Sequence, residues 1–212
     1  MRTHEFEPIP GLPEELPDGE EILWQGKPAW WSLAKRALHV RKVAAYFVIV
    51  GTWFATDALL QGEGAVAAGG YALNQLLIGA VAVGLLMALA WWMGTTTLYT
   101  ITNRRVVMRI GASLPTTVNL PFDRIEAANL AQHRDGTSDV SLRLDEGEKV
   151  RFLLFWPHVR PWRLSPPEPT LRVIPDGDEA ARILAEALEA HRAREEGTQT
   201  ASGVDQEAAA HS

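Results

Sequence analysis

Val43–Met93 reads VAAYFVIVGTWFATDALLQGEGAVAAGGYALNQLLIGAVAVGLLMALAWWM, and within it only Asp57 and Glu63 carry a charge. The rest of the chain is charged throughout, so this contrast sets the fold. Val43–Leu60 and Ala72–Met93 are apolar segments of 18 and 22 residues. As helices they would span roughly 27 and 33 Å, bracketing the ~30 Å hydrocarbon core of a bilayer. The second has no charge and ends on Trp91 and Trp92, where an interfacial aromatic belt belongs. The first carries Asp57 near its far end, within reach of the interface. The alternative is a pair of buried helices in a soluble protein, and so small a remainder of chain could not cover both.

Basic residues orient this hairpin. Lys35, Arg36, Arg41 and Lys42 precede the first segment, Arg104, Arg105 and Arg109 follow the second, and the connector Gln61–Tyr71 has no base. The positive-inside rule then places both termini in the cytoplasm and the connector outside. The N-terminus has no apolar core of its own, so a cleaved signal peptide is not expected and the first span acts as the anchor. Ala80, Gly84 and Ala88 recur one turn apart, as do Gly51 and Ala55. Such stripes let helix backbones approach closely, although they also arise from ordinary Ala/Gly content.

The chain has 212 residues, 20 bases against 26 acids, and no cysteine. That excludes disulfide frameworks, thiolate zinc sites, iron–sulfur clusters and a cysteine nucleophile. An acidic balance does not suit a general nucleic-acid binder. The charge lies in blocks: residues 1–26 and 175–212 are acidic, and residues 27–42 hold five bases and no acid.

Residues 1–27 are acidic and Pro-rich, and Glu5–Glu21 within them is expected to be extended and solvated. Residues 28–42 (PAWWSLAKRALHVRK) read as one helix. Its wheel gathers Trp30, Trp31, Leu33, Ala34, Ala37, Leu38 and Val40 on one half, with Lys35, Arg36, His39 and Lys42 opposite. Tryptophans facing bases are the pattern of a helix lying on anionic lipid, with Trp30, Trp31, Lys35, Arg36 and Lys42 at the membrane surface. A positive-inside flank that happens to be helical would look similar.

From Thr97 the period becomes that of strands. Leu98–Ile101, Arg105–Ile110, Thr116–Leu120, Ile125–Ala131, Val140–Leu144, Val150–Phe155 and Thr170–Ile174 are short β-rich runs. Val140, Leu142 and Leu144 share one face. Asp176 or Asp178 can cap a helix whose face is Ala180, Ile183, Leu184, Ala187, Leu188 and His191. The fold expected is α+β: a two-helix transmembrane hairpin (43–93), then an antiparallel β-barrel capped by a C-terminal helix (97–192). Residues 195–212 are expected to be disordered.

Two likenesses emerge from these residues. Leu98-Tyr-Thr-Ile-Thr-Asn-Arg-Arg-Val-Val-Met-Arg-Ile-Gly111 followed by Leu120-Pro-Phe-Asp-Arg-Ile-Glu126 resembles the bacterial pleckstrin-homology-like (PH-like) domains that follow membrane hairpins. It implies a PH-like fold over 97–192. Glu21-Ile-Leu-Trp-Gln-Gly-Lys-Pro through His39-Val-Arg-Lys, with Trp156-Pro-His-Val-Arg-Pro-Trp-Arg-Leu and Pro167-Glu-Pro-Thr-Leu-Arg172, resembles the PuhB-type family. That family comprises assembly proteins of the photosynthetic reaction centre in purple bacteria. The resemblance implies the inner, intracytoplasmic membrane and a role in assembling the reaction centre with its core light-harvesting antenna. It carries no catalytic residues.

The sequence itself offers little chemistry. Its six histidines (His4, His39, His133, His158, His191 and His211) form no i, i+4 pair, and no Walker, GxGxxG or GxSxG motif occurs. Asp57 is the one ionisable group within a span, and its end position favours simple exposure. His39 and His133 could ligate bacteriochlorophyll magnesium but suit solvated imidazoles better. Asp123 and Glu126 have no evident partner. An enzyme is not expected, nor are cofactor or metal residues.

Trp156–Pro169 (WPHVRPWRLSPPEP) holds five of the thirteen prolines and two of the eight tryptophans. Rigid prolines presenting Trp156, Arg160, Trp162 and Arg163 make a candidate protein-docking surface. A long strand connection whose tryptophans close the barrel would look the same. The function expected is thus a non-enzymatic assembly factor, with a lipid- or stress-sensing PH-like module as the alternative. Expected partners are reaction-centre and core-antenna subunits and anionic lipid, with a homo-oligomer left open and no nucleic acid.

Overall fold

The computed structural model describes residues 16–111, 116–145 and 168–210. The chain divides into two compact units, Met1–Pro28 with Thr96–Ser212, and Ala29–Thr95 between them.

The sheet unit begins with a strand that the sequence reading did not anticipate. β1 (Ile22–Gly26) pairs antiparallel with β2 (Leu98–Thr102), with Gly26 opposite Tyr99 and Gln25 opposite Thr100. The stretch expected to be solvated ends just before this strand, and Glu20 within it is buried. β3 (Arg105–Ile110) and β4 (Thr116–Pro121) complete a four-stranded meander in the order β1-β2-β3-β4. β5 (Ile125–Gln132), β6 (Ser138–Leu144) and β7 (Thr170–Ile174) form a second sheet. Val150–Phe155, expected as a strand, lies outside the described residues.

The two sheets do not close into the expected barrel. Between β4 and β5 the chain turns through a short 3-10 segment, Phe122–Arg124, after Pro121. Proline has no N–H to extend the ladder, and the turn starts a new sheet instead. Alternating residues from both sheets meet in one core: Tyr99, Ile101, Val106, Met108, Leu142, Leu171 and Ile174 are fully enclosed or nearly so. Ala180, Leu184, Ala187 and Leu188 of the C-terminal helix cover them, as the helical period requires.

That helix (here α4, Gly177–Ala210) runs through the segment expected to be disordered. Residues 195–210 lack an apolar stripe but are rich in Ala, Glu and Gln, which favour helix without packing. Gly177 opens the helix against β6: a Cβ there would overlap the Ser138 side chain.

In the second unit, α1 (Trp30–Arg36) and α2 (Val40–Leu60) replace the single helix expected over 28–42. The break falls at His39, held in the left-handed region with φ 55°. α3 (Ala65–Thr96) follows a short turn. α2 and α3 are both long and apolar enough to cross a membrane. Their large side chains face outward: Trp53 is 72% and Leu85 68% exposed. The helices approach at glycines, as small-residue packing requires. Gly51 lies against Ala72 and Gln75, and a Cβ at Gly79 would come within 2.6 Å of the Phe47 Cβ. The stripe expected on α3 is thus offset by a residue, since Gly84 has no neighbour within 4 Å. Asp57 accepts a hydrogen bond from Gln61 Nε2 (2.6 Å) at the end of α2.

Candidate functional site

The Thr102-Asn-Arg-Arg105 turn between β2 and β3 is built as a latch on the segment before the hairpin. Thr102 Oγ1 accepts the backbone N–H groups of Arg104 (3.2 Å) and Arg105 (3.0 Å), which shapes the turn. Asn103 then pairs with the incoming strand through both backbone and side chain. Its Nδ2 donates to the Gly19 carbonyl (2.9 Å), its Oδ1 accepts from Glu21 N–H (3.2 Å), and its own N–H reaches the Glu21 carbonyl (3.1 Å). Arg104 donates to the Asp18 carbonyl (3.2 Å). Arg105 forks onto both oxygens of Glu20, at 2.8 and 3.0 Å. The Glu20 carboxylate is enclosed, so this bidentate pair works in a less polar setting than a surface ion pair. Asn103, Arg104 and Arg105 therefore hold residues 18–21, which lead into β1, across some 80 positions of sequence. Tyr99 of β2 is fully buried, and burial pushes its phenol well above the usual value; its hydroxyl accepts the Arg172 N–H (3.3 Å).

In the hairpin unit, α1 divides its side chains between packing and surface. Leu33 and Ala34 are fully buried, and Ala34 packs with Val40 and Ala90, beside Leu38, Leu86 and Met87. This fixes α1 one residue from Trp91, at the basic-flanked end of the hairpin. Trp30 and Trp31 stay 39% and 47% exposed and meet edge to face at 5.8 Å. Lys35 Nζ stands 5.8 Å from the centre of the Trp31 ring, one turn along. Lys42 is exposed and Arg36 half-buried. The apolar half of the expected wheel is thus split: Leu33 and Ala34 face protein, and the tryptophans face out with Lys35. Two amphipathic rings and a cluster of bases can bury aromatic area at headgroup level and attract anionic lipid.

A peptide of residues 28–42 is accordingly expected to bind anionic vesicles in a salt-sensitive manner. Neutralising Lys35, Arg36 and Lys42 should remove about 1 kcal/mol each. Equal partitioning onto zwitterionic vesicles would reject the electrostatic part.

The remaining candidates fall elsewhere. Trp156, Arg160, Trp162 and Arg163 lie outside the described residues. His39 forms the α1–α2 break, and His133 sits 3.2 Å from Asp139 in the second sheet. Glu126, expected to be alone, pairs with Arg143 at 2.9 Å. Asp123 is joined to His191 of α4 at 2.5 Å. Neither pairing was legible, because the partners come from separate elements.

A four-stranded meander, a three-stranded sheet and a closing C-terminal helix make a PH-like arrangement, and a bacterial PH domain family profile matches residues 44–188. The chain belongs to the bacterial PH domain family. The match takes in the apolar hairpin as well as β2–β7 of the PH domain. A relative described as an uncharacterized 23.7 kDa protein in the puhA 5′ region of Rhodobacter capsulatus is 42% identical over 194 residues, 90% of each chain. No solved structure matches this PH-domain protein.

Proposed function

We propose that this chain is a non-enzymatic membrane assembly factor of the PuhB type, serving the photosynthetic reaction centre and its core antenna. The observation that carries the reading is the 42% identity, along 90% of both chains, to a Rhodobacter capsulatus protein from the puhA 5′ region. The hairpin crosses the inner membrane twice with both termini cytoplasmic. The base asymmetry supports this, as does the pairing of β1 with β2, which flank the hairpin. Strands that pair with each other must emerge on one side of any membrane crossed between them. Anchoring then confines the PH domain to the layer where its clients' cytoplasmic faces emerge, raising effective concentration without tight contacts. Trp156, Arg160, Trp162 and Arg163 supply the docking surface.

The exposed Trp30 and Trp31, with Lys35 beside the Trp31 ring, favour a second reading, a PH-like sensor of anionic lipid or membrane stress. Deletion of the gene separates the two. Assembly predicts less reaction-centre core complex while bacteriochlorophyll synthesis continues, restored by the wild-type chain and not by Trp162→Ala with Arg163→Ala. Unchanged core-complex absorbance in the deletion strain would refute the assembly role and leave lipid sensing.

A further inference from the structure

The geometry points to a divalent metal site, zinc by its donor chemistry, formed by Asp123, His191 and Glu195. One ligand atom from each of the three falls within 4.8 Å of the others. His191 Nε2 lies 2.5 Å from Asp123 Oδ1 and 3.7 Å from Glu195 Oε1. His191 and Glu195 stand one turn apart on α4, so both side chains project from the same face. Asp123 comes from the 3-10 turn that joins the two sheets.

The imidazole is already positioned. Its ring is largely covered and meets the edge of the buried Phe122 ring at 5.6 Å, which holds Nε2 toward the two carboxylates. Zinc bonds nitrogen and carboxylate oxygen at about 2.0–2.2 Å, so neighbouring donors around it stand roughly 3 to 3.5 Å apart. At present His191 and Asp123 are joined by a short hydrogen bond. Around a metal ion Asp123 would withdraw from His191 by under about 1 Å and Glu195 would approach it by a few tenths, by the same bond lengths, with the two carboxylates drawn together from within 4.8 Å. Both carboxylates are more than half exposed and free to make these adjustments. One nitrogen with two oxygens suits zinc or a similar first-row ion, whereas magnesium and calcium prefer oxygen alone. Three protein ligands leave a position for water. The bound ion joins the inter-sheet turn to the middle of α4.

The test uses the full chain in detergent, without a polyhistidine tag and after treatment with a chelator. One zinc ion should bind per chain, and the melting temperature should climb with the logarithm of zinc concentration. Glu195→Gln removes a ligand whose present contact is long and exposed, so the metal-free melting temperature should be unchanged. Its zinc affinity should fall at least tenfold, on the order of the loss caused by disturbing even outer groups of a metal site. Asp123→Asn should weaken binding similarly. Zinc binding by Glu195→Gln equal to the wild type, no zinc-dependent shift in the wild type, or an equal shift with magnesium would each overturn the site.

Discussion

Replacing Asp139 by alanine is expected to lower the stability of the sheet unit by about 3 kcal/mol or more, as when one partner of a buried charge cluster is removed. Asp139 sits on β6 where the register with β7 slips: Ser138 faces Ile174, but Val140 faces Leu171. Arg172 and Val173 therefore oppose the single residue Asp139, which is the geometry of a bulge. Val173 carries the strain, since a β-branched residue there adopts φ 46° and costs on the order of 1–2 kcal/mol. The carboxylate of Asp139 compensates by accepting the Val173 N–H at 2.7 Å, while its other oxygen faces Arg172 Nε at 3.7 Å and His133 at 3.2 Å. Alanine removes the acceptor and leaves two cationic or polar side chains crowded in a buried place. Asp139→Asn keeps an oxygen for Val173 and loses only the charge, so it should cost about half as much, near the worth of one charged hydrogen bond. In a domain of this size 3 kcal/mol corresponds to roughly 6–12 °C in melting temperature. A drop under about 2 °C for Asp139→Ala, on that scaling, would show that the bulge is held by other groups.

This bulge also illustrates what the sequence discloses and what it withholds. The alternation of Val140, Leu142 and Leu144 is a local pattern, and all three side chains lie in the core where it places them. The same holds for Ala180, Leu184, Ala187 and Leu188 at helical spacing. Pairings between distant elements leave no such trace. Ile22–Gly26 shows no alternation of its own after the acidic, Pro-rich run, and its partners begin about 75 positions later, beyond the hairpin. Glu20 looks like one more acid in an acidic run until Arg105 is brought to it. Thr102-Asn-Arg-Arg105 was readable as a motif through resemblance, but its work as a latch needed the structure. The wheel drawn through 28–42 assumed an unbroken helix. His39 in the left-handed region breaks it, and no glycine or asparagine marks the place. Asp123 and His191 are 68 residues apart, joined only because α4 packs beside the inter-sheet turn.

Joining Pro28 directly to Thr96 is expected to yield a soluble, folded PH domain. The excised residues, 29–95, are the hairpin unit, and the two flanks already belong to one compact body. Gly26 and Tyr99 are paired across β1 and β2, so the joined chain needs only Lys27, Pro28, Thr96, Thr97 and Leu98 to connect them. A connection of that length is ordinary for an antiparallel hairpin. The shortened chain should stay in solution without detergent, show mixed strand and helix by circular dichroism, and melt cooperatively. A companion chain starting at Thr96 lacks β1, the half-buried Trp24 packed on the core, and the carboxylate that Arg105 grips. It should lose several kcal/mol, on the order of 3–5 for the broken enclosed ion pair alone. A domain of typical stability, about 5–15 kcal/mol, would then be partly unfolded or prone to associate through the bared edge of β2. Glu20→Ala in the joined chain should fall between the two. Equal stability with and without residues 1–28 would show that β1 rests on the domain without supporting it. The proposal that both ends of the hairpin share one side of a membrane would then lose its structural support and rest on the charge asymmetry of the flanking bases alone.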